Sequence, residues 1–174
     1  MPYPSPAPKL PLQVSPDRRH LVQAGGSPFF YLADTAWELI HRLDEDECRR
    51  YLRNRAAKGF TVVMTVLLAE LDGLNTPNAH GERPLFDNDP ARPNPAYFEQ
   101  VDGVIGLAEE LGLVVALLPT WGDKWHNHQN TPGPRVFYDG ASAGAWGRHV
   151  GERYRHGMAP LYTTLVGRTG LDEV

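Results

Sequence analysis

The chain has 174 residues with 17 Lys and Arg against 21 Asp and Glu, a formal charge of −4, so it has room for one core-bearing domain and no basic field to hold nucleic acid, anionic lipid or polyphosphate. Its single cysteine, Cys48, excludes an internal disulfide and a thiolate zinc site. No apolar run reaches the roughly 18 residues of a membrane span, and prolines stand where a signal peptide would have its hydrophobic segment, so a soluble, cytoplasmic protein without membrane contact is expected.

Pro2, Pro4, Pro6, Pro8 and Pro11 mark residues 1–11 as an extended tail, because proline cannot donate a ladder hydrogen bond. Residues 12–14 and 20–23 read as two short strands joined through Ser15, Pro16 and Asp17, which have turn chemistry. An alternation follows: strand 29–33, helix 44–58, strand 60–68, helix 95–111, strand 113–118 and a last helix at about 141–155 with Trp146 and Val150 on its buried side. Asp44 and Glu47 imitate a capping box, Cys48, Tyr51, Leu52 and Ala56 share one helical face, and Gly59 ends the helix. Asn94 then Pro95 is an N-cap with proline at N1, and Val101, Val104, Ile105, Ala108 and Leu111 line one face before Gly112. Strands 60–68 and 113–118 are almost wholly apolar, as parallel strands buried on both faces must be. The reading is an α/β fold with helices covering a parallel sheet.

In parallel α/β folds, ligands bind beyond the carboxyl ends of the strands, where the outgoing loops converge. The first strand leads into Asp34, Thr35, Ala36, Trp37 and Glu38, the second into Ala69, Glu70, Leu71, Asp72 and Gly73, and the third into a segment holding Trp121, Asp123, Lys124 and Trp125. Carboxyl groups supply the general acid, base and nucleophile of glycoside hydrolysis, and indole faces stack on the apolar faces of sugar rings. Asp34, Trp37, Glu70, Asn78, Trp121, Asp123 and Trp125 are therefore the candidate substrate-binding residues. Two indoles four apart in a Gly-containing loop are the strongest signal, since helix packing explains them poorly. The segment 71–92 lacks periodicity and should wall one side of the pocket.

Competing patterns carry less. Asp123, His126 and His128 contain zinc-ligand types, but i, i+2 spacing lies on no helix, and Asp87, Asn88 and Asp89 lack the glycine and terminal glutamate of an EF-hand loop. Asx turns are expected at the latter. Arg49, Arg50, Arg53, Arg55 and Lys58 follow an acidic helix start and read as a solvated face. Neither a metal site nor a cofactor is implied.

The stretch from Ser27 through Asp34, Thr35, Ala36 and Trp37 to Leu39, the run from Tyr51 to Phe60, Leu67 to Gly73, Asn94 to Phe98, and Leu117 through Trp121, Gly122, Asp123 and Lys124 to Trp125 together resemble the apiosidase-like glycoside hydrolases of the family 140 type. The resemblance covers about residues 12–155. It implies a (β/α)8 TIM barrel that cleaves glycosidic linkages in plant pectic glycans, often apiose-linked, with a carbohydrate substrate as partner. In that family a segment like Gly151 to Arg155 leads into a fourth strand ending in Gly-Gly-Asp, whose aspartate is one catalytic carboxylate, with a glutamate from a later strand as the other. Here the chain reads on from Gly157 to Val174 without that motif, so neither catalytic residue is carried over. A TIM barrel needs roughly 250 residues, and three or four strands are expected, so residues 12–174 are expected to be the N-terminal part of a barrel, truncated and inactive alone.

Two rival readings stand beside this one, the first of them from another class. One is a non-catalytic carbohydrate-binding or partner-completed module. The other is a small complete enzyme using Asp34 and Glu70 as its pair, with carboxyls about 5 to 5.5 Å apart for retention or about 6.5 to 9.5 Å for inversion. An open barrel also predicts self-association through unpaired sheet edges, with residues 161–166 at most a weak edge strand.

Overall fold

A computed structural model describes residues 12–125 and 134–154. The proline-rich segment 1–11, His126, His128 and residues 161–166 lie outside the described residues.

Strands β1 (Gln13–Val14) and β2 (Leu21–Val22) form the expected hairpin, paired antiparallel with Gln13 opposite Val22 and Val14 opposite Leu21. Its turn is closed by the Ser15 hydroxyl, which donates to Asp17 and accepts the backbone N–H of His20. The main sheet is parallel, in the order β3 (Ala33–Thr35), β4 (Val62–Val66), β5 (Val114–Leu118). Its register sets Asp34 beside Val63, and Met64 beside Ala116.

The first sheet strand starts four residues later than its apolar run at 29–33 suggests. Phe29 donates its backbone N–H to Leu21 of the hairpin, and the Leu32 N–H is shared between the Thr61 hydroxyl and the carbonyl of Phe30 in its own stretch rather than going to the neighbouring strand's backbone. The ladder therefore begins only at Ala33. A short helix α1 (Leu39–Arg42), absent from the sequence reading, follows β3 and buries Leu39, Ile40 and His41. Four residues hold too little of a 3.6-residue period to be seen.

Helices α2 (Glu45–Ala57), α3 (Pro95–Glu110) and α4 (Gly140–Tyr154) stand within a residue or two of expectation. In α2 both halves of the capping box form: the Asp44 carboxylate accepts the Glu47 N–H at 2.9 Å and the Glu47 carboxylate accepts the Asp44 N–H at 3.2 Å. In α3 the Asn94 side chain accepts the Ala96 N–H and Pro95 takes N1.

Side chains alternate across the sheet. Val63, Leu67, Val115 and Leu117 face the helices and pack with Leu52, Phe98, Val101, Ile105 and Trp146 in the main core. On the opposite face, Val62, Val114 and Ala116 meet Phe29 and the hairpin residues Leu12 and Leu21. Burial on both faces explains why β4 and β5 are continuous apolar runs. The hairpin packs near the amino ends of the strands, which leaves the carboxyl ends to the loops. Cys48 is packing, as its spacing suggests: it is buried, its thiol donates to Leu39 and Leu43 carbonyls, and burial pushes its pKa up to about 11. Arg55 departs from the solvated face expected of it, for it turns inward onto Asp34.

Candidate sugar-binding site at the strand exits

Backbone hydrogen bonds draw the three strand exits together. The Val66 N–H donates to the Trp37 carbonyl, and the Leu67 N–H to the Leu118 carbonyl at 2.9 Å. The Tyr97 hydroxyl at the start of α3 adds a 2.8 Å bond to the Leu67 carbonyl, and the Trp146 indole of α4 donates to the Pro119 carbonyl at 2.9 Å. Both outer helices are thus pinned to the same end of the sheet.

At that end two of the expected aromatic residues meet. Trp37, leaving β3, lies 5.2 Å from Trp121, leaving β5, with ring planes at 49°. Both are half-buried. Offset indoles of this kind form a rigid apolar step with polar neighbours.

The neighbours are charged. Glu38 follows Trp37, Glu70 follows β4, and Asp123 and Lys124 sit in a 3-10 turn after Trp121. Lys124 and Asp123 are both buried, and the ammonium lies 2.6 Å from one Asp123 carboxylate oxygen while the other has no hydrogen-bond partner among the described residues. Glu38 accepts from Arg42 Nε at 3.1 Å. Burial, followed by the like charges of Glu38 and Asp123, raises the pKa of Glu70 above the ordinary glutamate value. Burial, followed by the positive charges of Arg42 and Lys124, lowers the pKa of His41 on α1 below the ordinary histidine value.

Asp34 does not join this group. Its register beside Val63 puts it on the helix-facing side of β3, where its carboxylate accepts from the Tyr51 hydroxyl at 2.6 Å and Arg55 at 2.7 Å. These partners, with the Tyr51 hydroxyl foremost, hold Asp34 below the usual aspartate pKa. Both partners lie on α2, so the Asp34 carboxylate is engaged from the helix side, by groups other than Glu38, Glu70, Asp123 and Lys124.

Trp125 separates from Trp121 as well. It packs against the main core, and the Arg135 guanidinium covers its ring at 5.8 Å. Asn78 is buried and organises the loop: its carbonyl oxygen accepts the N–H groups of His80 and Glu82, both at 3.0 Å, while its amide nitrogen has no partner among the described residues. The neighbouring Ala79 N–H donates to the His41 carbonyl at 3.1 Å, which sets the 71–92 loop against α1 as a wall beside the first exit. Asp89 makes the anticipated Asx turn to Ala91. Glu38, His41 and Lys124 were not singled out by sequence reasoning. Glu38 and Lys124 adjoin predicted residues on the exits and could have been found; His41 lies on the short helix that carries no periodic signal.

A cavity of about 350 Å³ lies elsewhere, on the helix side, lined by Ile40, Leu43, Cys48, Arg49, Val104 and Leu107. No His, Cys, Asp and Glu cluster suited to a metal ion occurs among the described residues, and none of their helices is long and apolar enough to cross a membrane.

The model of the apiosidase-like catalytic domain matches residues 15–167. Among solved structures, a glycoside hydrolase family 5 protein from Bacteroides vulgatus is 27% identical with a TM-score of 0.66, over 84% of this chain and 30% of its own. A second, described as a glycoside hydrolase, is 26% identical with a TM-score of 0.67, over 84% of this chain and 32% of its own. The chain thus spans about a third of the length of these structures. No curated protein matches. The fold is part of a TIM barrel: parallel strands β3, β4 and β5 with covering helices, preceded by a hairpin.

Proposed function

The chain belongs to the apiosidase-like catalytic-domain family, and from that premise we propose that its strand exits hold a glycan in the site of a glycoside hydrolase barrel. Trp37 and Trp121 form the stacking step, while Glu70 and Asp123 accept or donate hydrogen bonds to hydroxyls at its side. The observation that carries this reading is the 5.2 Å indole pair beside carboxylates from three consecutive strand exits. Pectic glycans are the substrate class, following the family. Asn78 and Trp125 act behind the site, one shaping the loop and the other bracing the turn after β5.

Residues 12–174 hold the substrate, and the acid and the nucleophile or base come from strands later in the barrel order. Glycosidic cleavage needs both an acid and an opposed carboxylate. Of the candidates, Asp34 is bound to Arg55 and Asp123 to Lys124. The 174-residue chain should therefore bind pectic oligosaccharides without turning them over. Reducing-sugar release and calorimetric titration test the two halves: saturable binding, weakened about tenfold in Trp121→Ala, with hydrolysis at background. Turnover that disappears in Glu70→Gln would contradict this and make the chain an enzyme on its own.

A further inference from the structure

We propose that the loop after β4 carries an outer sugar subsite, in which the exposed side chains of Phe86 and Leu71 receive the apolar face of a second ring of the glycan, beyond the ring held on the Trp37 and Trp121 step. The inference rests on the glycan-site reading and deepens it.

The chain path puts this loop on the face of the site. Segment 71–92 follows the carboxyl end of β4 and leads into the amino end of α3, whose Tyr97 hydroxyl bonds the Leu67 carbonyl at 2.8 Å. Both ends of the loop therefore lie where the strand exits converge, and the Ala79 N–H on the His41 carbonyl fixes its middle beside the first exit. Leu74 and Leu85 of this loop are buried in the main core, whereas Leu71, directly after Glu70, is 51% exposed and Phe86 is 45% exposed. The Phe86 ring is backed by the Arg92 guanidinium, 6.0 Å from its centroid, and Arg92 is itself paired with Asp87. That backing fixes the ring and leaves the rest of its surface to solvent.

The backbone holds both side chains in place under strain. Apart from Arg18, every non-glycine residue with a left-handed φ among the described residues lies in this loop: Leu71 at 53°, Asp72 at 65°, Asp87 at 53° and Asn88 at 56°. Aspartate and asparagine tolerate that region, but a leucine there sets its Cβ against the following carbonyl with no local compensation. Hydrogen bonds hold the first turn: the Gly73 N–H donates to the Glu70 carbonyl, and Asn75 Nδ2 donates to the Asp72 carboxylate at 2.6 Å. Asn88 Nδ2 then donates to Asn75 Oδ1 at 3.0 Å, tying the turn that carries Phe86 to the turn that follows Leu71. Strain of this kind persists where the surroundings over-determine it, and it collects at ligand clamps. A sugar ring suits the place, because its C–H faces pack on exposed aromatic and aliphatic side chains, and a glycan seated on the indole step extends past the loop that walls it.

The test is calorimetric titration of the full chain with pectic oligosaccharides that lengthen one ring at a time. The unmodified protein should gain about two- to tenfold in affinity at the length where the glycan first reaches the loop. Phe86→Ala should lose that gain while binding the shorter oligosaccharides as the unmodified protein does. Leu71→Asn should lose part of it and yet unfold at a temperature no lower than the unmodified protein, since asparagine accepts a left-handed φ; a lower temperature would make Leu71 a packing residue and overturn its part in the subsite. A gain that survives in both variants, its absence from the unmodified protein, or a loss in Phe86→Ala that falls equally on the shortest ligand overturns the outer subsite while leaving the indole step standing. Absence of binding at every length overturns both.

Discussion

Asp34 and Glu70 are both carboxylates at strand ends, and their surroundings give them opposite characters. Asp34 is held by Tyr51 and Arg55 and lies below its ordinary pKa, so the stability it adds is present above about pH 4 and is lost as the pH falls through its lowered folded value. Asp34→Asn should cost about 1.5 to 3 kcal/mol at neutral pH, the range for a hydrogen bond to a charged group, and much less in acid. Urea unfolding at both pH values checks it. Glu70 has the reverse sign. Its folded pKa is raised, so its ionisation costs stability as pH rises through the folded value, and Glu70→Gln should be more stable than the unmodified protein at neutral pH and little changed in acid. Gly73 belongs to the same neighbourhood, because a Cβ there would lie 2.8 Å from the Ala69 carbonyl oxygen, and its N–H donates to the Glu70 carbonyl. Gly73→Ala should displace the Glu70 turn, costing about 1 to 3 kcal/mol as overpacking does, and weaken glycan binding in titration. The strand-end rule reached Glu70 and Trp121 from sequence, but it could not give the phase of β3. With the strand expected at 29–33, nothing told which side of the sheet Asp34 would face.

The secondary-structure elements were most legible where several local signals agree. Helix α2 has a capping box, one apolar face and a glycine after its end, and α3 has an Asn cap, Pro at N1 and a following glycine, so both were placed closely. Asp44→Ala removes the acceptor for the Glu47 N–H and should lower stability by about 0.5 to 2 kcal/mol without changing glycan affinity; thermal unfolding and titration together separate the two effects. Elements set by tertiary partners were not legible. The 29–32 stretch is claimed by Leu21 and the Thr61 hydroxyl, and α1 exists because Leu39, Ile40 and His41 are covered by the sheet and the 71–92 loop rather than because of any repeat. The loop after β5 misled for a related reason. Four-residue spacing suggested two equivalent indoles, but the 3-10 turn from Gly122 to Lys124 sends Trp121 to Trp37 and Trp125 to the core and Arg135.

At the scale of the molecule, β3 and β5 are the outer strands of the described sheet, and Phe30, three residues before β3, is 74% exposed. Unpaired strand edges template further pairing, so the purified 174-residue chain should self-associate, with light scattering giving a mass above one chain that falls in Phe30→Lys. A monomer at all concentrations would show that the edges are covered. The indole step at the strand exits can be read directly, because the four tryptophans of the chain supply both probes and controls. Trp37 and Trp121 line the step, Trp125 is covered by Arg135, and Trp146 is buried with its N–H on the Pro119 carbonyl. The most direct measurement is the set of indole 15N–1H resonances of the full chain during titration with a pectic oligosaccharide. Trp37 and Trp121 should show saturable shifts with Trp146 unmoved; saturable binding that leaves both of those resonances in place would contradict a stacking step at the strand exits.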